Sequence, residues 1–374
     1  MKAIGIILAG GSSEMRLGAL TQSRAASAMP VGSCYRTIDF PLSNMSNSRI
    51  SKVAVITQFN SRSLNDHLNS AKWWELGRKQ GGLYIYTPYI SSDNSFWFRG
   101  TADSIYQNIT FLKKSVEPYV VIASGDAVYK MDYQKVLREH NRSGADITVV
   151  YKDFSGEADK DLTKYGILEL DEDNRIIGFE EKPVEPKTSN ASLGIYIIAR
   201  TKLIELLEAI VPEGRYDFVK DILMRYRKHL LIRGYQFEGY WSSVGGGILD
   251  YYKTNMDFLK KEVRDIFCKE YPYINTKIKD EPPVKYNGGA QVHTSIAGGG
   301  TIINGTVEHS VLFRRVFIGE NAVVKNSIIM EGCYIGNNSY VENAILDKNV
   351  VISESKRIVG EEGTPAIYPK GSVI

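Results

Sequence analysis

A repeat of apolar residues at a spacing of 17 constrains this chain more than any other feature of its sequence. Ile318, Ile335 and Ile352 stand on that interval, and so do Val307, Val324 and Val341, and Leu312, Ile329 and Leu346. Val311, Ile328 and Ile345 keep the same interval, as do Val316, Cys333 and Val350. Within one interval the steps are 5, 6 and 6 residues (Val307, Leu312, Ile318, Val324). That spacing puts one apolar side chain on each side of a three-sided coil, and stacked coils bury them in a continuous core. Gly319 and Gly336 follow the inward isoleucines at matching corners, where the backbone must turn. The pattern predicts a left-handed parallel β-helix of hexapeptide repeats over residues 290–374.

The preceding sequence has a different rhythm. A chain of 374 residues is long enough for a second domain. Residues 1–264 alternate short apolar runs with helical patterns, which predicts an α/β domain built on a sheet. The runs are Ile4 to Leu8, Val53 to Thr57, Tyr119 to Ala123, Asp146 to Tyr151 and Leu193 to Ile198. Gly166 to Ile177 reads as a hairpin turning at Asp171 to Asn174, and helical patterns run over Leu64 to Leu68, Lys202 to Ile210 and Tyr251 to Arg264. Residues 265–289, with Pro272, Pro282 and Pro283, read as a linker.

Bulk properties exclude several function classes. A formal charge of +3, with 24% charged residues, is nearly balanced and gives no reason to propose nucleic acid or membrane as a partner. Five histidines and three scattered cysteines (Cys34, Cys268, Cys333) match neither a zinc signature nor a disulfide framework. The apolar N-terminus is too short to span a bilayer and ends at Gly10-Gly11 without a cleavage pattern. The expectation is a cytoplasmic protein with no membrane or nucleic-acid partner.

Candidate chemistry gathers at the ends of the apolar runs. Ile4 to Leu8 leads into Gly10-Gly11-Ser12-Ser13-Glu14-Met15-Arg16, a strand-to-glycine turn whose amides could cradle phosphate, although Glu14 opposes an anion. Glycines serving only the turn are the plain alternative. Asp126 in Ser124-Gly125-Asp126 sits where open α/β sheets bind ligands, though a lone Asp there also serves as a turn or cap residue. Phe179-Glu180-Glu181-Lys182-Pro183 sets a cation beside two acids, and Tyr240-Trp241-Ser242-Ser243-Val244-Gly245-Gly246 is a polar turn after an apparent strand. Aromatics near loops (Trp73-Trp74, Tyr84, Tyr86, Phe96-Trp97-Phe98) suit either packing or stacking on a sugar or base.

Taken in order, these stretches resemble the bacterial ADP-glucose pyrophosphorylases (glucose-1-phosphate adenylyltransferases) along nearly the whole chain. The resemblance rests on Tyr35 to Asn44, Thr57-Gln58-Phe59, Gly100-Thr101-Ala102-Asp103, Ser124-Gly125-Asp126, Tyr129 to Tyr133, Phe179 to Pro183, Ser192 to Tyr196, Asp217-Phe218 and Phe237 to Trp241. It implies a Rossmann-like nucleotidyltransferase (GT-A-like) domain with a mixed sheet, followed by the β-helix. It also implies a reaction of ATP with glucose 1-phosphate, tetrameric assembly and allosteric control. Gly10, Gly11, Arg16, Gln58, Gly100 and Thr101 correspond to the nucleotide side. Gly166, Glu181, Lys182 and Ser192 correspond to the sugar-phosphate side, and Asp126 to one metal-site acid.

The departures from the family pattern are concentrated on the nucleotide side. The loop Gly-Gly-x-Gly-Thr-Arg-Leu is one residue longer here and gains Glu14; the lysine of Arg-Ala-Lys-Pro-Ala is Ala26; the aspartate of Trp-x-Asp-Val-Gly is Ser243. Ala127 replaces a histidine and Phe98 a tyrosine. Nucleotidyl transfer depends on positioning and on charge compensation by metal and cations. A chain that keeps one half of the site and loses the other resembles the regulatory, GlgD-type members of the family, non-catalytic or weakly catalytic partners of a catalytic subunit in a hetero-tetramer. Such a chain could also form a homo-oligomer alone and retain a sugar-phosphate ligand. No metal or other cofactor is expected beyond Mg²⁺ for any residual catalysis. The alternative is an active sugar-phosphate nucleotidyltransferase with a rebuilt metal site. Acyl transfer on the β-helix would have to use His293 or His309.

Overall fold

A computed structural model describes residues 1–11, 13–77, 81–89, 97–157, 160–361 and 363–374, apart from the side chains of residues 13 and 14. The expectations attached to Ser12, to the Glu14 carboxylate and to Phe96 therefore lie outside the described residues.

The N-terminal part is built on one nine-stranded sheet. Strand Ala3–Leu8 lies in parallel between Lys52–Ile56 and Tyr119–Ser124, and Lys52–Ile56 pairs in parallel with Gly82–Tyr86. On the far side of Tyr119–Ser124, the long strand Asn190–Ala199 runs antiparallel and also pairs with Ile147–Asp153. The hairpin of Gly166–Leu170 and Ile176–Glu181 completes that flank. The sheet is mixed, as the resemblance implied. Ile4 and Ile6 face one apolar core and Ala3 and Ile7 the other, so the first strand has no polar face to show.

Local signals fix most elements, and tertiary packing redraws some. The pattern read as one helix from Tyr251 to Arg264 is two, Ile248–Asp257 and Lys261–Cys268. The break lets Phe258 enter an aromatic cluster with Tyr35, Phe40 and Phe267, against Gly32, where a Cβ would lie 2.7 Å from its ring. The second helix runs into the stretch read as a linker, and strand Lys285–Tyr286 in that stretch already belongs to the β-helix. Strands Gly82–Tyr86 and Ile232–Gln236 are further elements, as is helix Tyr133–Ser143, which buries Tyr133, Val136, Leu137 and His140 on one face.

The C-terminal part is the left-handed β-helix expected from the repeat. It has three parallel sheets of five short strands each. Val307, Val324 and Val341 align in one sheet, Leu312, Ile329 and Leu346 in another, and Ile318, Ile335 and Ile352 in the third. All nine are fully buried. The opening rung is shorter, with Ile303 paired to Ile318 and Val292 to Val307, and so it escaped the 17-residue pattern.

The two parts share a core. Val311, Ile328 and Ile345 point outward from one face of the coil and pack with Leu17, Leu20, Met29, Val31, Phe40 and Tyr251 of the α/β part. Arg24 crosses the same interface to pair with Asp347 at 2.6 Å, with both side chains almost wholly buried. Among the described residues no helix is long and apolar enough to cross a membrane.

Candidate active-site cleft

The cleft forms where the chain changes direction across the sheet. From Ala3–Leu8 the next two strands add on one side and Tyr119–Ser124 on the other, so the loops leaving the carboxyl ends of the first strand and of Tyr119–Ser124 diverge. A crevice between such loops is the usual ligand site of open α/β sheets. Here its walls are Gly10-Gly11 and Gly125-Asp126, linked by a hydrogen bond from Gly125 N to Leu8 O of 2.9 Å.

Two cavities open from this crevice. The first, of about 210 Å³, is lined by Arg16, Asp126, Lys164, Gly166, Glu181, Lys182, Ser192 and Ser243 among others. All four residues assigned to the sugar-phosphate side thus meet in one place. Gly166 pairs with Glu181 across the hairpin, and a Cβ on it would lie 2.8 Å from the Phe179 ring and 3.1 Å from the Glu181 carboxylate. Only glycine lets that carboxylate lie so close to the strand. Lys182 adopts a left-handed backbone (φ 51°), donates N–H to Tyr165 O, and pairs with Glu181 at 3.0 Å. A β-bulge between Ser192 and Ile195, with Gly194 at φ 66°, turns both Ser192 and Gly194 into the cavity.

The second cavity, of about 590 Å³, is lined by Gly10, Gly11, Met15, Gln58, Phe59, Phe98, Gly100 and Thr101 among others. It collects five of the six residues assigned to the nucleotide side. Several already hold the protein together: Gln58 accepts a hydrogen bond from Phe98 N (3.1 Å), and Thr101 Oγ1 accepts one from Phe218 N (2.9 Å). Gly100 packs so tightly that a Cβ would lie 2.3 Å from the Tyr216 carbonyl oxygen. The rings of Phe59 and Trp97 stack at 5.3 Å beside it.

Arg16 departs from expectation. From Ser13 the backbone forms a single helical turn, Ser13–Leu17. That turn puts exposed Met15 on the nucleotide cavity and Arg16 on the sugar-phosphate cavity. Ala26 departs too. It lies in the short turn Ala26–Ala28, buried in the core shared by the two domains with Leu17, Met29, Val128 and Val244, and lines neither cavity.

Asp126 and Ser243 are brought together. Strand Ala127–Tyr129 pairs antiparallel with Trp241–Ser243, with Ser243 opposite Ala127, and Val244 N donates to Asp126 O at 2.9 Å. Ser124 Oγ donates to the Asp126 carboxylate. Mg²⁺ in nucleotide sites is held by one or two carboxylates together with phosphate oxygens and water. The donors at this strand end are one carboxylate and hydroxyls, which do not fit the two-acid site that the family pattern implies. Among the described residues, no group of three or more His, Cys, Asp or Glu is placed to hold a metal ion.

Comparison with known proteins agrees with this architecture. A family model described as nucleotidyl transferase matches residues 4–261, and one described as GlmU-like, C-terminal hexapeptide, matches residues 282–364. A glucose-1-phosphate adenylyltransferase of Clostridium perfringens is 40% identical, over 86% of this chain and 82% of its own length. Proteins of the same name from Halalkalibacterium halodurans and Geobacillus stearothermophilus are 38% and 37% identical, over 85% and 86% of this chain and 83% of their own lengths. The chain belongs to the glucose-1-phosphate adenylyltransferase family. The family's nucleotidyltransferase domain and hexapeptide coil are therefore both present, and the crevice between Gly10-Gly11 and Gly125-Asp126 lies in the matched nucleotidyltransferase region.

Some lining residues carried no readable signal. Lys164 sits in the charged stretch Asp161-Leu162-Thr163-Lys164, which reads as a solvated loop, yet it lines the sugar-phosphate cavity and pairs with Asp250 at 2.7 Å. Tyr165 lines it too, and burial followed by Asp250 and Asp126 pushes its phenol up, so the hydroxyl stays protonated. Behind this wall the Lys160 ammonium faces the rings of Phe154, Tyr165 and Trp241 at 5.1, 5.6 and 5.7 Å, and burial lowers its pKa.

On the coil, Arg314 is partly buried and Arg315 exposed. Both pair with Glu331, at 2.8 and 2.7 Å, together with Lys348 at 3.0 Å. His293 and His309 are exposed, and His309 meets Asn326 at 3.0 Å, so nothing in their setting favours acyl transfer.

Proposed function

We propose that this chain is a regulatory, non-catalytic or weakly catalytic subunit of an ADP-glucose pyrophosphorylase, assembling with a catalytic subunit that joins ATP to glucose 1-phosphate. The observation that carries the reading is the pairing of Ser243 opposite Ala127, beside Asp126. A second metal-site acid at that position would lie next to the first, and here it is a hydroxyl. Two further observations support it. Arg16 lines the sugar-phosphate cavity and not the nucleotide cavity, and the position where the family carries a phosphate-facing lysine is alanine in an apolar core. Removing one electrostatic contact to a transition state typically costs roughly 3–4 kcal/mol, or about 10²–10³ in rate. Changes within one site need not add, but each acts on the triphosphate or its metal.

The test is pyrophosphorolysis and ADP-glucose synthesis by the purified chain, alone and co-expressed with a catalytic subunit. The expected result is almost no turnover alone and an altered rate or effector response in the mixture. Robust turnover by the isolated chain overturns the reading and favours an enzyme with a rebuilt metal site. Ser243→Asp is the cleaner restoration, because Ala26→Lys would place a charged chain in the interdomain core. A Mg²⁺-dependent gain of activity in Ser243→Asp is the expected outcome.

A further inference from the structure

We infer that Lys164, positioned by Asp250, is a further cation, beside Lys182, that recognises the phosphate of a sugar phosphate in the smaller cavity, and that this recognition needs neither metal nor nucleotide. The inference rests on the reading of that cavity as a sugar-phosphate site and adds a residue and a mode of binding to it.

The charges facing the cavity set the case. Its ionisable lining consists of Arg16, Lys164 and Lys182 against Asp126 and Glu181, with Tyr165 and Tyr196 protonated. Lys182 is tied to Glu181 at 3.0 Å, and the Asp126 carboxylate takes the Ser124 hydroxyl. Lys182, 43% exposed, and Lys164 each keep N–H donors beyond their ion pairs, and Arg16 adds a third cation to face a dianion. Arg16 is exposed and has no ion-pair partner among the described residues. Lys164 is 29% exposed, reachable yet fixed in place.

Its fixation is built from two sides. Asp250 Oδ2 accepts from Lys164 Nζ at 2.7 Å, and Asp161 lies at 3.6 Å. An ammonium has three N–H donors, so at least one is left for a phosphate oxygen. Asp250, in the first turn of helix Ile248–Asp257, reaches this position across Gly246, where a Cβ would lie 2.2 Å from its carboxylate oxygen. Glycine at 246 therefore lets the Val244–Gly246 turn and the hairpin be braced across the cavity mouth. A volume of about 210 Å³ is below the ~300–1,000 Å³ of pockets for drug-sized ligands, and suits one hexose phosphate better than a sugar nucleotide.

The experiment is calorimetry on the full chain in EDTA, with glucose 1-phosphate, inorganic phosphate, glucose and ATP as probes. Glucose 1-phosphate is expected to bind without magnesium, more tightly than either glucose or phosphate. Lys164→Met is expected to weaken glucose 1-phosphate by about tenfold or more, as for loss of a charged hydrogen bond, and to leave glucose unchanged. Lys164→Arg should stay near wild type, and Asp250→Asn should fall between. Thermal melting of each variant controls for folding. Wild-type affinity for glucose 1-phosphate in Lys164→Met, or an equal loss for glucose, overturns the inference and assigns Lys164 a structural role. If Lys182→Met abolishes binding while Lys164→Met does not, the sugar-phosphate reading stands and only this assignment fails. If the wild-type chain binds no glucose 1-phosphate, the inference fails, while the effect on a co-expressed catalytic subunit still decides the regulatory reading.

Discussion

Separating Arg24 from Asp347 should show whether the two domains behave as one cooperative unit. The pair is 2.6 Å long, its side chains are 4% and 2% exposed, and Arg24 also touches Met330 Sδ at 3.5 Å. Removing one partner of a buried ion pair leaves the other charged and dry, a loss of about 3–5 kcal/mol. In Arg24→Met the Asp347 carboxylate keeps one donor, Lys348 N at 2.6 Å, which puts the expected loss at the lower end, about 3 kcal/mol. Asp347→Asn strands the guanidinium and should cost a similar amount. The double variant removes both charges and should sit within about 1–2 kcal/mol of wild type, giving a coupling of roughly 4–5 kcal/mol.

The assay is urea denaturation followed by two probes. All four tryptophans (Trp73, Trp74, Trp97, Trp241) lie in the α/β part, so fluorescence reports that domain, while far-ultraviolet circular dichroism also sees the coil. The shared core of Val311, Ile328 and Ile345 with Leu17, Met29 and Phe40 predicts coincident transitions in the wild type. Arg24→Met should separate them. Single variants costing under about 1 kcal/mol, or a double variant equal to the sum of the singles, would refute the argument that burial makes this pair an interdomain lock.

Other consequences can be checked separately. His140 is buried beside Thr148, with Nδ1 2.8 Å from Oγ1, and burial lowers its pKa to about 4. Its folded pKa lies below the unfolded value near 6.5, so its contribution of about 3 kcal/mol is complete above pH 6.5. It should be lost as pH falls toward 4, and His140→Gln should flatten that part of a melting-temperature profile. For Glu331, burial raises the pKa, but Lys348 and Arg314 outweigh it and hold the group at about 2. Stability from Glu331 should be intact above pH 4.5 and decline between 4.5 and 2, with Glu331→Gln removing that decline in acid titrations monitored by circular dichroism. Gly100→Ala should destabilise the fold by about 2 kcal/mol or more, because the clash at 2.3 Å is with backbone that cannot rotate away. A melting temperature equal to wild type would free Gly100 from this packing role. Ile335→Ala in the coil should cost about 2–5 kcal/mol in urea titrations, since its neighbours Ile318 and Ile352 are fixed by their own strands.

The sequence by itself determined the coil, the mixed α/β sheet and the family. A repeat of 17 places side chains on three faces wherever the chain goes, and a buried parallel strand must be apolar throughout. Both are local constraints that survive without knowledge of neighbours. The family motifs pointed to Asp126, Glu181, Lys182 and Ser192, which line one cavity. Tertiary structure decided what these motifs could not. Lys164 belongs to the cleft because Asp250, 86 residues away, brings it there across Gly246. Arg16 lines the sugar-phosphate cavity while Met15 lines the other, because the helical turn Ser13–Leu17 points neighbouring side chains to different sides. Ala26 proved to be an interface residue because the coil folds back onto the turn that carries it. Separation in sequence carries no information about such meetings; they are set by which surfaces are buried together, and that is a property of the whole fold.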